Sequence, residues 1–96
     1  MFEIADCPRQ ISFSDSPERV IDDGPESSMG MGFRILKDSS ADAFLSAGNT
    51  GALFLGGAFY ARRISGVTKA AIGTFVPTYK GQAFVLDSGA NISCTP

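Results

Sequence analysis

An uncharged run, FLSAGNTGALFLGG at residues 44–57, constrains the fold more than any other stretch of the sequence. Residues 41–48 form a short apolar segment that ends at Gly48, as a buried strand does, and residues 50–63 continue as an apolar stretch rich in small residues. Because small residues let backbones approach closely, the second segment is predicted to be a helix pressed against a sheet. Gly48 permits a tight turn, and Asn49 is a favourable helix cap. The run therefore predicts a strand, a turn and a helix in succession.

Helix signals also precede this run. A polar stretch with several prolines is predicted to be a loop with one helical turn after Pro17. Ser27 or Ser28 then provides an N-cap, and apolar residues spaced at helical intervals follow as far as Asp38. We therefore predict an amphipathic helix between the loop and the uncharged run.

Strand signals lie near both ends of the sequence. FEIAD at residues 2–6 alternates as a strand does, and two more apolar runs at residues 70–77 and 83–89 are separated by a TYKGQ turn. Strands and helices thus alternate over most of the chain. This order predicts one partial α/β domain over residues 1–96, with a mostly parallel sheet and helices packed on its faces.

The composition excludes several classes of function. The 96 residues are 44% hydrophobic and 19% charged, and the net charge of −2 comes without the basic stripe of nucleic-acid binders. Histidine is absent, so no Ser-His or Cys-His nucleophile can form within this chain. The longest apolar run, residues 51–61, is shorter than the roughly 20 residues that a membrane span needs. Cys7 and Cys94 lack metal-site spacing, so we expect free thiols in a reducing cytoplasm, and neither a metal nor a cofactor.

The SAGNTGA turn has the chemistry of an anion site. Backbone N–H groups around Thr50 and Gly51 are expected to point outward at the positive end of a helix dipole, and ligands bind at this edge of open α/β sheets. The turn lacks the lysine of a P-loop and does not match G-x-G-x-x-G, so nucleotide motifs do not apply. The alternative is a well-capped helix that binds nothing.

Two further stretches share this logic. In LDSGAN a strand ends in Asp87 and the chain then turns through Gly89 and Asn91, so the carboxylate at the strand end either orients a ligand or caps a helix. ESSM supplies the hydroxyls of Ser27 and Ser28 at another helix start. Three polar helix starts in a short chain raise the prospect that they converge on one pocket.

Charge is distributed unevenly along the chain. Residues 1–44 carry nine acidic and four basic side chains, whereas residues 45–96 carry one acidic and four basic side chains. The resulting charge of +3 in the second part suits an anionic ligand or an acidic partner. Its basic residues are Arg62, Arg63, Lys69 and Lys80.

The motifs together resemble a known family. The order and spacing of these motifs are similar to those of PlsX, the phosphate acyltransferases of bacterial phospholipid synthesis. The motifs are SSM, then a helix, AFLSAGNTGAL, ISGV, a strand ending at Pro77 and GQAFVLDSGAN. The resemblance extends from about Phe2 to Pro96. It rests mainly on SAGNTGA followed by LDxGAN, a specific combination.

The resemblance implies an activity and a fold. Such enzymes transfer a fatty acyl group from acyl carrier protein to inorganic phosphate, giving acyl phosphate. They are cytoplasmic homodimers that associate with the inner membrane surface, and their three-layer α/β/α fold resembles isocitrate and isopropylmalate dehydrogenases and phosphotransacetylases. No catalytic residue is assigned.

The resemblance also implies roles for individual residues. The phosphate or substrate site would comprise Ser27, Ser28, Ser46, Gly48, Asn49, Thr50, Gly51, Asp87, Gly89 and Asn91. The carrier protein would dock on Arg62, Arg63 and Lys69, whose alternative role is simple charge complementation at a helix end and solvation in a loop.

The sequence also departs from the family pattern. Members are longer, with a DxMGGD turn on an earlier strand and further segments after LDSGAN, so we expect a central fragment that is truncated at both ends and inactive alone. Before SSM, where members commonly carry several basic residues, this chain has Asp22, Asp23 and Glu26, and VTKAAI stands where an Arg-Pro pair is usual. Two alternatives remain: a phosphotransacetylase-type enzyme that uses coenzyme A thioesters, and a catalytically silent chain.

Overall fold

The structure, a computed structural model, describes residues 1–61, 64–67 and 69–86. They belong to two compact units, Met1–Ile64 and Ser65–Pro96. The first unit contains helices and the second contains strands, so the α/β class is confirmed at this coarse level. Within the described ranges, no helix is long and apolar enough to cross a membrane.

The first unit is built from short helices whose starts are fixed by local side chains. The elements are α1 (Arg19–Asp22), a 3₁₀ turn (Gly24–Glu26), α2 (Ser28–Lys37) and α3 (Thr50–Tyr60). Ser27 caps α2 and Asn49 caps α3, as predicted, because each side-chain oxygen accepts a backbone N–H from the first turn of its helix. The predicted helical turn after Pro17 is also confirmed as α1. The predicted extension of α3 to Arg63 is wrong, because the helix ends at Tyr60 and the backbone of Ala61 is already extended.

The core of this unit lies among its three α-helices. Its buried apolar side chains are Ile11, Val20, Met29, Phe33 and Ala52. The Phe33 ring packs edge-on to Phe44, with centroids 5.0 Å apart, and stacks on Tyr60 at 5.8 Å. A Cβ at Gly56 would overlap the Phe33 ring, so the small residue of α3 admits a neighbouring helix. Close packing was predicted correctly, but α3 packs closely on α2, whereas the prediction had it against a sheet.

Two predicted strands are wrong in this structure. Residues 2–6 and 41–48 belong to no strand, and the side chains of Phe2 and Leu45 are 100% and 95% exposed. A strand requires a neighbour that accepts and donates its backbone hydrogen bonds. No such neighbour lies along either segment among the described residues of the chain. The nearby pairing is a single parallel bridge between Arg9 and Ser27.

The second unit contains a β-hairpin. Strands β1 (Gly73–Thr78) and β2 (Gly81–Leu86) pair antiparallel, with Phe75 opposite Phe84 and their ring centroids 4.9 Å apart. Both strands lie where strands were predicted, although the predicted end of the second, residues 87–89, falls outside the described residues. A two-residue turn reverses the chain, and so short a connection cannot join parallel strands. The described sheet is therefore antiparallel, and the predicted mostly parallel sheet is not confirmed.

Candidate functional site

A cavity beside the start of α2 brings together residues from distant parts of the sequence. Its volume is about 430 Å³, within the range of small-molecule sites. The lining residues are Gln10, Ile11, Ser28, Met29, Phe44, Leu45, Ser46, Ala47 and Gly48. Three of the residues predicted for the site, Ser28, Ser46 and Gly48, thus meet in one cavity although they come from two separate motifs.

The two serines that precede α2 have different environments. Ser27 is fully buried; its hydroxyl accepts the Gly30 N–H at 3.1 Å and donates to the Gly24 carbonyl at 2.9 Å. A Cβ at position 30 would overlap the Gly24 carbonyl oxygen, so glycine is required for this close approach. Ser28 is exposed and lines the cavity. The structure therefore gives the capping role to Ser27 and leaves the hydroxyl of Ser28 accessible to a ligand.

The Ser46–Gly48 turn forms the other polar part of the cavity. The Ser46 hydroxyl accepts the Gly48 N–H at 3.1 Å, which holds the turn together. A Cβ at Gly48 would lie 3.3 Å from both the Met29 Cε atom and the Ser46 Oγ atom. A side chain at position 48 would therefore need a small shift of Met29 or Ser46, and the backbone of Gly48 does not have a positive φ.

Asn49, at the start of α3, directly follows this turn in the sequence, but its side chain binds backbone groups of the protein. Asn49 is 7% exposed, and its Oδ1 atom accepts the Ala52 N–H at 3.0 Å. Its Nδ2 group donates to the carbonyls of Ser12 and Asp15, each at 3.1 Å. All three hydrogen bonds are structural, so the capping interpretation of Asn49 is confirmed. Its proposed contact with a ligand stays a prediction.

Thr50 and Gly51 are exposed and do not line the cavity. A Cβ at Gly51 would lie 2.9 Å from Pro17 Cγ, so the loop that precedes α1 covers one side of this helix start. The structure therefore brings Ser46 and Gly48 together with Ser28 and places Thr50 and Gly51 just beyond them.

Residues 9–15, here named the strap, connect the two helix starts. At one end, the Arg9 N–H donates to the Glu26 carbonyl at 3.0 Å, and the Ser28 N–H donates to the Arg9 carbonyl at 3.3 Å. At the other end, the strap supplies the two carbonyls that bind Asn49. Between them, Gln10 and Ile11 line the cavity. Much of this stretch is predicted to be a loop, and no motif in it indicates its contribution to the site.

Ion pairs hold the strap to the acidic stretch before α2. Arg9 contacts Asp23 at 2.6 Å and Glu26 at 3.2 Å, and Arg19 contacts Asp23 at 2.9 Å and Asp15 at 3.1 Å. The hydrogen bond from Arg9 lowers the pKa of Asp23, with the charge of Arg19 adding to the effect. The backbone hydrogen bond from Ser12 in the same way lowers the pKa of Asp15. Two acidic residues that depart from the family pattern, Asp23 and Glu26, are thus partners of arginine.

The chemistry available in the cavity is that of uncharged donors. It offers the hydroxyls of Ser28 and Ser46 and the amide of Gln10, beside the N-terminal end of the α2 dipole. Within the described ranges, no three His, Cys, Asp or Glu side chains gather as a metal site. Such a site can bind and orient an oxyanion.

Several predicted residues fall elsewhere. Arg62 and Arg63 lie outside the described residues, as does the LDSGAN group of Asp87, Gly89 and Asn91. Lys69 is exposed in the second unit. The second wall of the site and the surface for a carrier protein therefore stay predictions.

Comparison with known proteins identifies the family. The family described as "Fatty acid synthesis protein" matches residues 1–96, so the chain belongs to it. The phosphate acyltransferase of Caldicellulosiruptor saccharolyticus is 42% identical over 94 residues, which cover 98% of this chain and 28% of the relative. The phosphate acyltransferase of Salinibacter ruber is 42% identical over 93 residues, which cover 97% of this chain and 28% of the relative. The phosphate acyltransferase of Acetivibrio thermocellus is 44% identical over 86 residues, which cover 90% of this chain and 25% of the relative. The resemblance seen in the sequence is confirmed, and the chain spans little more than a quarter of these relatives.

Proposed function

We propose, from this family membership, that the chain is part of a phosphate acyltransferase that moves a fatty acyl group from acyl carrier protein to inorganic phosphate. The observation that carries the proposal is the cavity in which Ser28 and the Ser46–Gly48 turn meet. These residues belong to the SSM and SAGNTGA motifs, and their hydroxyl groups, beside the N-terminal end of a helix dipole, suit a phosphate ion.

The proposed reaction needs no covalent intermediate on this chain. A phosphate oxygen attacks the thioester carbonyl carbon, a C–O bond forms, the C–S bond breaks, and the thiolate of the carrier leaves and takes up a proton. Catalysis would then depend on positioning the phosphate and on stabilising the oxyanion.

The remaining site residues are assigned by proposal. Thr50 and Gly51 extend the phosphate site from the Ser46–Gly48 turn, with Asn49 holding the turn against the strap. The LDSGAN residues form a second wall, and the arginine pair after α3 contributes with Lys69 to docking of the acidic carrier protein. The whole enzyme is proposed to have the three-layer α/β/α fold with a mostly parallel sheet, to form a homodimer in the cytoplasm and to associate with the membrane surface.

The proposal is tested with the complete enzyme that carries this chain. Ser28→Ala and Ser46→Ala should each raise the KM for phosphate, because each removes a hydroxyl from the cavity. Ser40→Ala is the control, since Ser40 is an exposed serine that does not line the cavity. Unchanged phosphate kinetics in both cavity variants would contradict the site.

The identity of the acyl donor is tested in the same assay. Acyl carrier protein thioesters and coenzyme A thioesters of one acyl group are compared at saturating phosphate. We expect a higher kcat/KM with the carrier protein. A preference for coenzyme A would favour an enzyme of the phosphotransacetylase type.

A further inference from the structure

Gln10 is a polar residue of the cavity that no sequence motif marks. It lies in the cavity wall together with Ser28 and Ser46. Its amide group carries two N–H donors and no charge, so it can donate to an anion without the strong hydration of an ammonium group. Unlike a hydroxyl, it has the reach of a long side chain. Gln10 therefore has the chemistry and the location of a ligand-binding residue.

The backbone next to Gln10 is fixed to the start of α2. The N–H and the carbonyl of Arg9 bind the residues on either side of Ser27, at 3.0 Å to Glu26 and at 3.3 Å to Ser28. This is the pattern of a short parallel bridge. The position of residue 10 relative to the cavity is consequently set by how firmly residue 9 is held.

The side chain of Arg9 is held in turn by a buried carboxylate. The Asp23 side chain is 7% exposed, and its two oxygens contact Arg9 at 2.6 Å and Arg19 at 2.9 Å. A buried carboxylate between two guanidinium groups is a strong local constraint, because removing its charge leaves both partners without their closest anion. Loss of that charge would leave Arg9 with only its longer contact to Glu26, at 3.2 Å, and would loosen the strap beside the cavity.

We propose that Gln10 is a further phosphate-binding residue of the cavity and that Asp23 is its positioning residue, acting through Arg9. The inference rests on the proposed function, since it concerns the same cavity. It adds the strap to a site that the motifs place only on two helix starts. It also gives the acidic stretch before α2 a role in binding an anion, by way of the arginine that it holds.

The experiment is a double-mutant cycle in the complete enzyme, with inorganic phosphate as the varied substrate. Gln10→Ala should raise the KM for phosphate about tenfold, equivalent to about 1.4 kcal/mol, without changing the Tm or the KM for the acyl donor. Asp23→Asn should raise the KM for phosphate as well and also lower the Tm. When Gln10 is already alanine, Asp23→Asn should add no further increase in KM, because the residue that it positions is gone. Asp22→Asn, at the exposed neighbouring aspartate, is the matched control.

The outcomes separate this inference from the proposed function. If Ser28→Ala and Ser46→Ala raise the KM for phosphate but Gln10→Ala does not, the inference is wrong and the site stands. A raised KM for the acyl donor alone would likewise overturn the assignment of Gln10 to phosphate. If the effects of Gln10→Ala and Asp23→Asn multiply independently, Asp23 has only a structural role. Arg9→Gln provides the same cycle while leaving Asp23 paired with Arg19, should Asp23→Asn fail to fold.

Discussion

Replacing Asn49 is expected to cost more stability than the loss of an ordinary helix cap. A cap is worth about 1 kcal/mol, and each of the two hydrogen bonds from the Asn49 amide to the strap is worth about 1 kcal/mol. Asn49→Ala removes all three contacts and leaves the carbonyls of Ser12 and Asp15 without this donor. We therefore expect the free energy of unfolding to fall by about 3 kcal/mol, since the three contributions act at one buried side chain.

The matched variant is Asn49→Ser, because serine caps a helix as well as asparagine does but cannot reach the strap with an amide. It should lose about 2 kcal/mol, the part that belongs to the two carbonyl contacts. Urea-induced unfolding of the complete protein, followed by circular dichroism, measures both variants. With a slope of about 3 kcal/mol/M, the alanine variant should unfold at a urea concentration lower by about 1 M. A serine variant as stable as the unmodified protein would refute the reasoning, since the strap contacts would then contribute nothing.

Three further predictions concern the proposed site and its surroundings. Thr50→Val removes a hydroxyl at nearly constant shape and should raise the KM for phosphate severalfold at an unchanged Tm, whereas a lower Tm at an unchanged KM would assign Thr50 to the helix alone. Replacing Arg62 and Arg63 by Gln should lower kcat/KM for the carrier protein most at low salt, because salt screens docking; an equal loss at both salts would exclude docking. The hydrogen bond from Arg9 lowers the pKa of Asp23. The ionised Asp23 carboxylate therefore stabilises the fold above the ordinary pKa of 3.8, and this stabilisation is lost as the pH falls below that value. Asp23→Asn should therefore flatten the acid-induced loss of stability, measured by unfolding below about pH 4, and an unchanged loss would contradict this role of Asp23.

The helices could be predicted because their signals are local. The Ser27 cap bonds to an N–H three residues away, and the Asn49 cap does the same. Phe33 also follows Met29 at a helical interval, and both side chains are buried in the core. Contacts within one or two turns are visible in a sequence, so the starts of both helices were predicted, whereas α3 ends at Tyr60, before the predicted end at Arg63.

The strands were harder to predict because a strand depends on its neighbours. Residues 2–6 and 41–48 have strand-like sequences, yet neither belongs to a strand. Their sequences alone do not show whether a neighbouring strand is present to pair with them. For residues 73–86 the positions of both strands were predicted, but not their direction. The two-residue turn between them sets their relative direction, because only antiparallel strands can be joined by so short a connection.

The site was predicted in part for a related reason. Ser28, Ser46 and Gly48 belong to motifs that mark helix starts and turns, so their chemistry was apparent from the sequence. The contribution of the strap to the site could not be predicted, since its contacts join residues far apart in the chain, such as Asn49 and Ser12. Nothing in the mostly polar residues 9–15 shows which distant side chains their backbone carbonyls will bind.

The acidic stretch before α2 illustrates how such distant contacts change the meaning of a sequence. Read by itself, a cluster of carboxylates beside a proposed phosphate site argues against binding an anion. In the structure, Asp23 lies between Arg9 and Arg19, and Glu26 also contacts Arg9, so their charges are largely neutralised where they lie. The field at the cavity then depends on the helix start and on the uncharged donors around it. The departure from the family's basic pattern is therefore compatible with an anion site, because arginines of this chain provide the compensating charge.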